Sequence, residues 1–233
     1  SKSPKAKLPL FAANDQAGFE KWLIDLIFNP ETDAKRVNKA EGVDPIAASA
    51  NNYYEGLTKK EVIDFYAANK KNDSINPISW GGNSKLIKQD GKIIEKTWKI
   101  GGMYSASIMN IVESLKKAIE FSETKEQADA LKLLVEFYQN GDLKTWDAYN
   151  IAWVKDVKSS IDVINGFIEV YHDPIGMRAG FESAVEINDI EASKRMAIIA
   201  QNAQWFEDNS PIDAKYKKTN VVGITYKVVN VVM

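Results

Sequence analysis

The residues best suited to chemistry lie in one run from Gly166 to Arg178, which reads Gly-Phe-Ile-Glu-Val-Tyr-His-Asp-Pro-Ile-Gly-Met-Arg. Glu169 and Tyr171 stand two residues apart in an apolar, strand-like segment. Side chains at i and i+2 of a strand share a face, so the carboxylate and the phenol are expected to project together, with Ile168 and Val170 packed behind them. A carboxylate there is costly to bury alone, so a lysine, an arginine or a ligand ammonium is expected opposite it. The run then breaks at Pro174 and Gly176, where Asp173 is expected to shape a turn, with His172 beside it and Arg178 as ion partner. Glu182 follows on the next strand-like segment.

Composition narrows what those residues can be part of. The chain has 233 residues, 30 basic and 32 acidic, interspersed, and a net charge of −2. No basic face for nucleic acid emerges. No apolar run approaches the roughly 20 residues that span a bilayer, and Ser1 to Lys7 contains no signal-peptide core. There is no cysteine, which excludes disulfides and thiolate chemistry but does not fix the compartment: a cytoplasmic setting is slightly favoured, and a periplasm is compatible. His172 is the only histidine, whereas a hydrolytic zinc site takes two or three imidazoles and a carboxylate. This chain is therefore expected to hold no metal. A Ser-His-Asp arrangement lacks its Gly-x-Ser-x-Gly elbow.

The elements that must position the run are legible from periodicity and punctuation. Helices are expected over 15–28, with Asn14 or Asp15 as cap, and over 58–69, opened by a Thr58-Lys59-Lys60-Glu61 capping box. A hairpin is expected at 86–94 around Asp90-Gly91. Three consecutive helices follow, at about 104–121, 125–139 and 143–155, with Gly141 as a left-handed cap. After Ser160 the pattern turns strand-like, at 161–164, 166–171 and 181–187, before a helix over about 189–206. The terminal run Val221 to Met233 reads as a strand in want of a partner and as a place where a longer protein was divided. The expected fold is α+β and predominantly helical. It divides into a mainly helical region, 1–160, with its hairpin near 84–98, and a strand-rich part, 161–233, with one helix.

Several segments together resemble dipeptidyl peptidase III, and specifically its bacterial branch. Besides Gly166 to Gly176 they include Asp33 to Asn38, Ser49 to Tyr54, Asn83 to Leu86, Lys99 to Tyr104, Gly141 to Trp146 and Asn202 to Asp208. The likeness runs from about Asp33 to the end of the chain. The family comprises two-lobed zinc exopeptidases that release dipeptides from peptide N-termini. The family's His-Glu-x-x-x-His zinc helix, its third ligand carboxylate and its Gly-Ile-Asn-x-Pro-Asn loop are absent from the sequence, so the chain looks like the zinc-free lobe.

The resemblance implies roles residue by residue. Glu169 stands where the family holds the free α-ammonium of the substrate. Tyr171 stands where it hydrogen-bonds the substrate backbone near the scissile carbonyl, a contact that counts as catalytic, and Glu182 matches a carboxylate close to the groove. His172 occupies a position that is arginine or glycine in many relatives. The implied partners are a peptide substrate and the zinc-bearing lobe of the same polypeptide, and the implied cofactor is that lobe's zinc, so the chain is expected to be inactive alone. The alternative is a non-catalytic helical module acting through protein–protein contact. A non-zinc hydrolase built on Asp173 and His172 is a third reading, and chelator-resistant turnover would mark it. Asn51 to Tyr54 is a candidate border for a peptide groove. Trp80 beside Gly81-Gly82 is a candidate for partial exposure, while the other tryptophans are expected mostly in cores.

Overall fold

The computed structural model describes residues 15–29, 36–69, 75–222 and 227–232. The helix-cap candidate Asn14, the stop at Pro30, the Asp33 end of the resemblance, and the 223–226 and Met233 parts of the terminal strand lie outside these. The fold is α+β. By packing, the chain groups into two compact units, one made of 1–97 with 170–179 and the other of 98–169 with 180–233.

In the first unit, helix α1 (Gln16–Phe28) begins at Asp15, whose side chain accepts the Gly18 N–H, and none of its residues is buried. Strand β1 (Tyr54–Glu55), unforeseen in the sequence, runs parallel to β2 (Ser84–Gln89). Strand β2 pairs antiparallel with β3 (Lys92–Thr97) through a turn in which Asp90 and Gly91 have φ of 50° and 75°. These are the positive angles that a two-residue hairpin loop requires. Between β1 and β2, helix α2 (Lys59–Asn69) opens on the expected capping box: the Thr58 N–H donates to Glu61 Oε2 at 2.9 Å, and the Glu61 N–H donates to Thr58 Oγ1 at 3.3 Å. Its Val62 and Tyr66 join Ile46, Tyr54, Leu57 and Leu86 in the core, whereas Ile63 is exposed.

In the second unit, helices α3 (Ser105–Glu120), α4 (Lys125–Asn140) and α5 (Leu143–Lys155) pack in succession. The Thr124 side chain caps α4 and Gly141, at φ 70°, ends it. Leu134, Phe137 and Tyr138 of α4 are almost wholly buried. The two strand-like runs expected after Ser160 form a single strand, β4 (Ile161–Glu169), antiparallel to β5 (Gly180–Asn188), which pairs in turn with β6 (Val229–Val231). Tyr138 donates to Asn165 Oδ1 at 2.5 Å, tying α4 to β4.

The helix expected over 189–206 is two helices, α6 (Ile190–Gln201) and α7 (Ala203–Asn209). Asn202 interrupts it: its side-chain amide donates back to the Ile198 carbonyl at 2.7 Å, the competition with the backbone that makes asparagine a poor mid-helix residue.

Two predictions follow from this packing. A β-carbon on Gly166 would lie 2.2 Å from Cη2 of Trp146 on α5, so Gly166→Ala is expected to overpack the second unit and destabilise it by about 1–3 kcal/mol in urea denaturation. The Glu61 carboxyl accepts from Lys88 Nζ at 2.6 Å as well as from Thr58, and these bonds hold its pKa down to about 2. Because the folded value lies below the unfolded one of about 4.3, the box stabilises the protein above that pH and loses its effect as pH falls through about 2. A carboxyl NMR titration of Glu61 is expected to show the depressed midpoint.

Candidate functional site

Strand β4 carries an irregularity at its last residues. Phe167 pairs with Phe181, but Glu169, not Ile168, pairs with Gly180, so a bulge intervenes. In regular pairing Glu169 would stand opposite Ala179 and share a face with Phe167. The extra residue turns it to the face of Gly180 and therefore of Glu182, which pairs with Gly166. Glu169 and Glu182 thus share one face of the β4–β5 pair as diagonal neighbours. Both are half-buried. Among the described residues, neither carboxylate has a lysine, an arginine or a hydrogen-bond donor as partner. Among the described residues the cation expected opposite Glu169 is not supplied, and its cross-strand partner is Gly180.

Tyr171 is not on the strand. β4 ends at Glu169, and the chain enters two consecutive turns, closed by Asp173 N–H to the Val170 carbonyl at 3.0 Å and Gly176 N–H to the Asp173 carbonyl at 3.1 Å. The expectation that Glu169 and Tyr171 project together from one strand face is therefore corrected. Pro174 and Gly176, the latter at φ 68°, favour the turn over continued extension. Tyr171 is 60% exposed at the tip, with the His172 ring edge-on at 4.4 Å between centroids.

The partners expected for Asp173 are corrected as well. Its buried carboxylate bonds neither His172 nor the Arg178 guanidinium. Oδ2 accepts the Tyr54 hydroxyl at 2.7 Å, the Met177 N–H at 2.9 Å and the Arg178 backbone N–H at 2.6 Å, while Oδ1 accepts the Ile175 N–H at 3.0 Å. The acceptor sites are filled by the turn that the carboxylate organises.

Arg178 is 0% exposed, and its three guanidinium nitrogens have no hydrogen-bond partner. It lies between the rings of Tyr54 and Tyr66, 5.1 Å from each centroid. A desolvated cation–π contact contributes about 2 kcal/mol or more, which offsets part of the several kcal/mol that desolvating the cation costs. Each ring is polarised from its far end, since Tyr54 donates to Asp173 and Tyr66 to Glu95 Oε1 at 2.5 Å, which also accepts from Ser84. Burial raises the pKa of both phenols, so both keep the proton they donate. Gly81, at φ 90°, admits the guanidinium because a β-carbon there would lie 1.5 Å from Nη1.

Described residues of the first unit also line open clefts. One, of about 510 Å³, is bordered by Lys39, Val43, Lys59, Ile63, Pro174 and Ile175. The other, of about 450 Å³, is formed by Arg36, Ala50, Asn51, Asn52 and Tyr53. Trp80 is half-buried. Among the described residues, no group of three or more His, Cys, Asp or Glu side chains is disposed to hold a metal ion, and no helix is long and apolar enough to cross a membrane.

Residues 48–233 match the model of peptidase family M49. The chain belongs to that family. Among curated proteins, it is 26% identical over 117 residues to dipeptidyl peptidase 3 of Dictyostelium discoideum, a match covering 50% of the chain and 17% of the relative. Nudix hydrolase 3 of Arabidopsis thaliana is 31% identical over 123 residues, covering 51% of the chain and 16% of the relative. The structure of DPP III from Caldithrix abyssi superposes with a TM-score of 0.64 and 22% identity, covering 85% of the chain and 38% of the neighbour, which shows a shared fold. The chain's matches thus span about a sixth of these curated relatives.

Sequence reasoning singled out Tyr54 only within a groove border and missed its bond to Asp173, which spans 119 positions, as it missed the roles of Tyr66 and Glu95. Tyr54→Phe keeps the ring over Arg178 and removes the hydroxyl from Asp173. It is expected to cost about 1–3 kcal/mol in urea denaturation, with an unchanged far-ultraviolet dichroism spectrum.

Proposed function

We propose that this family M49 chain is the substrate-binding lobe of a zinc-dependent dipeptidyl peptidase. One observation carries the reading: a half-buried carboxylate, Glu169, is turned by a bulge to a face where, among the described residues, no cation meets it. A peptide's α-ammonium has the charge and the donors that this carboxylate lacks. An exopeptidase that counts residues from the N-terminus needs a fixed anion to mark that end. Glu182, on the same face, adds negative potential. Tyr171, exposed at its turn, offers a hydroxyl to the backbone of the bound peptide. The name of the Dictyostelium discoideum relative, dipeptidyl peptidase 3, supports the same substrate class.

The described residues do not fit a zinc ion, because no three ligating side chains stand together and His172 faces the ring of Tyr171. Zinc is assigned to polypeptide beyond this chain, in a second lobe, and the chain alone is inactive in this reading. Exposed apolar side chains on α6 and α7, among them Ile198, Trp205 and Phe206, suit packing against such a lobe.

In the polypeptide that also carries the zinc ligands, Glu169→Ala is expected to lower kcat/KM on a dipeptidyl arylamide about 10- to 100-fold, the worth of one charged hydrogen bond. The wild type is expected to discriminate against the N-acetylated substrate by a similar factor. An unchanged kcat/KM in the variant would remove Glu169 from the binding site.

A further inference from the structure

The buried arginine poses a problem that the proposed function leaves unsolved. A cation without a hydrogen bond is a poor choice for packing, since an apolar side chain of similar volume would fill the same space without desolvating a charge. The reason for a charge lies in Asp173. This carboxylate is 1% exposed and accepts three backbone N–H groups, from Ile175, Met177 and Arg178, plus the Tyr54 hydroxyl. Such an anion needs a positive charge close by. A direct salt bridge would compete for the oxygens that the turn's amides occupy.

Placing the ring of Tyr54 between the two charges resolves the conflict. The guanidinium acts on the π face while the hydroxyl at the ring's other end donates to Asp173. Tyr66 and Glu95 repeat the device on the opposite side. The result is a series of carboxylate, tyrosine, arginine, tyrosine and carboxylate that sets one positive charge between two anions and leaves the oxygens of Asp173 to the backbone and the Tyr54 hydroxyl. Arg178 is fastened to the turn twice, because its own N–H is one of those that Asp173 holds. The turn is further pinned where the Ala179 N–H donates to the Gly82 carbonyl at 2.9 Å.

We propose that Arg178 is a positioning residue: from between Tyr54 and Tyr66 it locks the 170–179 turn and so fixes the exposed Tyr171 for the peptide. This rests on the role given to Tyr171 above. The locked turn supplies at the tip the order that solvent exposure would otherwise remove.

The test is Arg178→Met, which keeps bulk and removes charge, with Arg178→Lys, which keeps charge and loses the planar stack. Both are made in the polypeptide that carries the zinc ligands, alone and combined with Tyr171→Phe. Amide exchange at Ile175 and Met177 is expected to quicken at least tenfold in Arg178→Met, and less in Arg178→Lys, while Leu134 and Val135 of α4 stay protected. The loss in kcat is expected to match that of Tyr171→Phe, and the double variant to lose no more than Tyr171→Phe alone. Multiplying losses, exchange unchanged at the turn, or exchange quickened throughout the chain would each overturn the proposal. If Tyr171→Phe leaves kcat/KM unchanged, the role given to Tyr171 is refuted. Local quickening of exchange then upholds Arg178 as the lock of the turn, and its absence overturns that too.

Discussion

A buried charge has to be balanced, and the way it is balanced decides which atoms remain available. Two carboxylates in this protein face that constraint with opposite outcomes. Asp173 is sealed in, and its oxygens are consumed by backbone amides and a phenol, with Arg178 compensating through an aromatic ring. Glu169 is half-buried and has nothing compensating it from the described residues. The first arrangement builds a turn, and the second leaves a negative charge without a partner among the described residues.

The two arrangements are linked by the chain itself. The bulge at the end of β4 turns Glu169 to the face of Glu182, and the chain then enters the turns organised by Asp173, in which Tyr171 lies. A bulge that re-aims a side chain, followed at once by a tightly bonded turn, is a common way to place polar groups at the margin of a sheet. Both features depend on small or conformationally restricted residues: Gly180 opposite Glu169, Pro174 and Gly176 in the turn, and Gly81 beneath the guanidinium.

Local features were legible in the sequence because their physics is local. The capping box at Thr58 and Glu61, the Asp90-Gly91 hairpin and the Gly141 cap each need only a few adjacent residues, and all three are present. The resemblance pointed to the correct family. Strand alternation misled at Tyr171, since a period of two assumes a regular strand and the bulge and Asp173 end it. The fate of Arg178 was invisible. An arginine five residues from an aspartate reads as its ion partner, and only the folding of Tyr54 and Tyr66 onto it reveals why it is not. The division of the last long helix turned on one side-chain amide, at Asn202.

The central claim is that the free carboxylate of Glu169 receives the positive end of a peptide. Its most direct test is an experimental structure of the whole polypeptide with an unblocked peptide bound. The account predicts the peptide's α-ammonium nitrogen within about 3 Å of a Glu169 carboxylate oxygen. A peptide bound in a productive pose with its N-terminus held by other groups, and Glu169 facing only solvent, would contradict it.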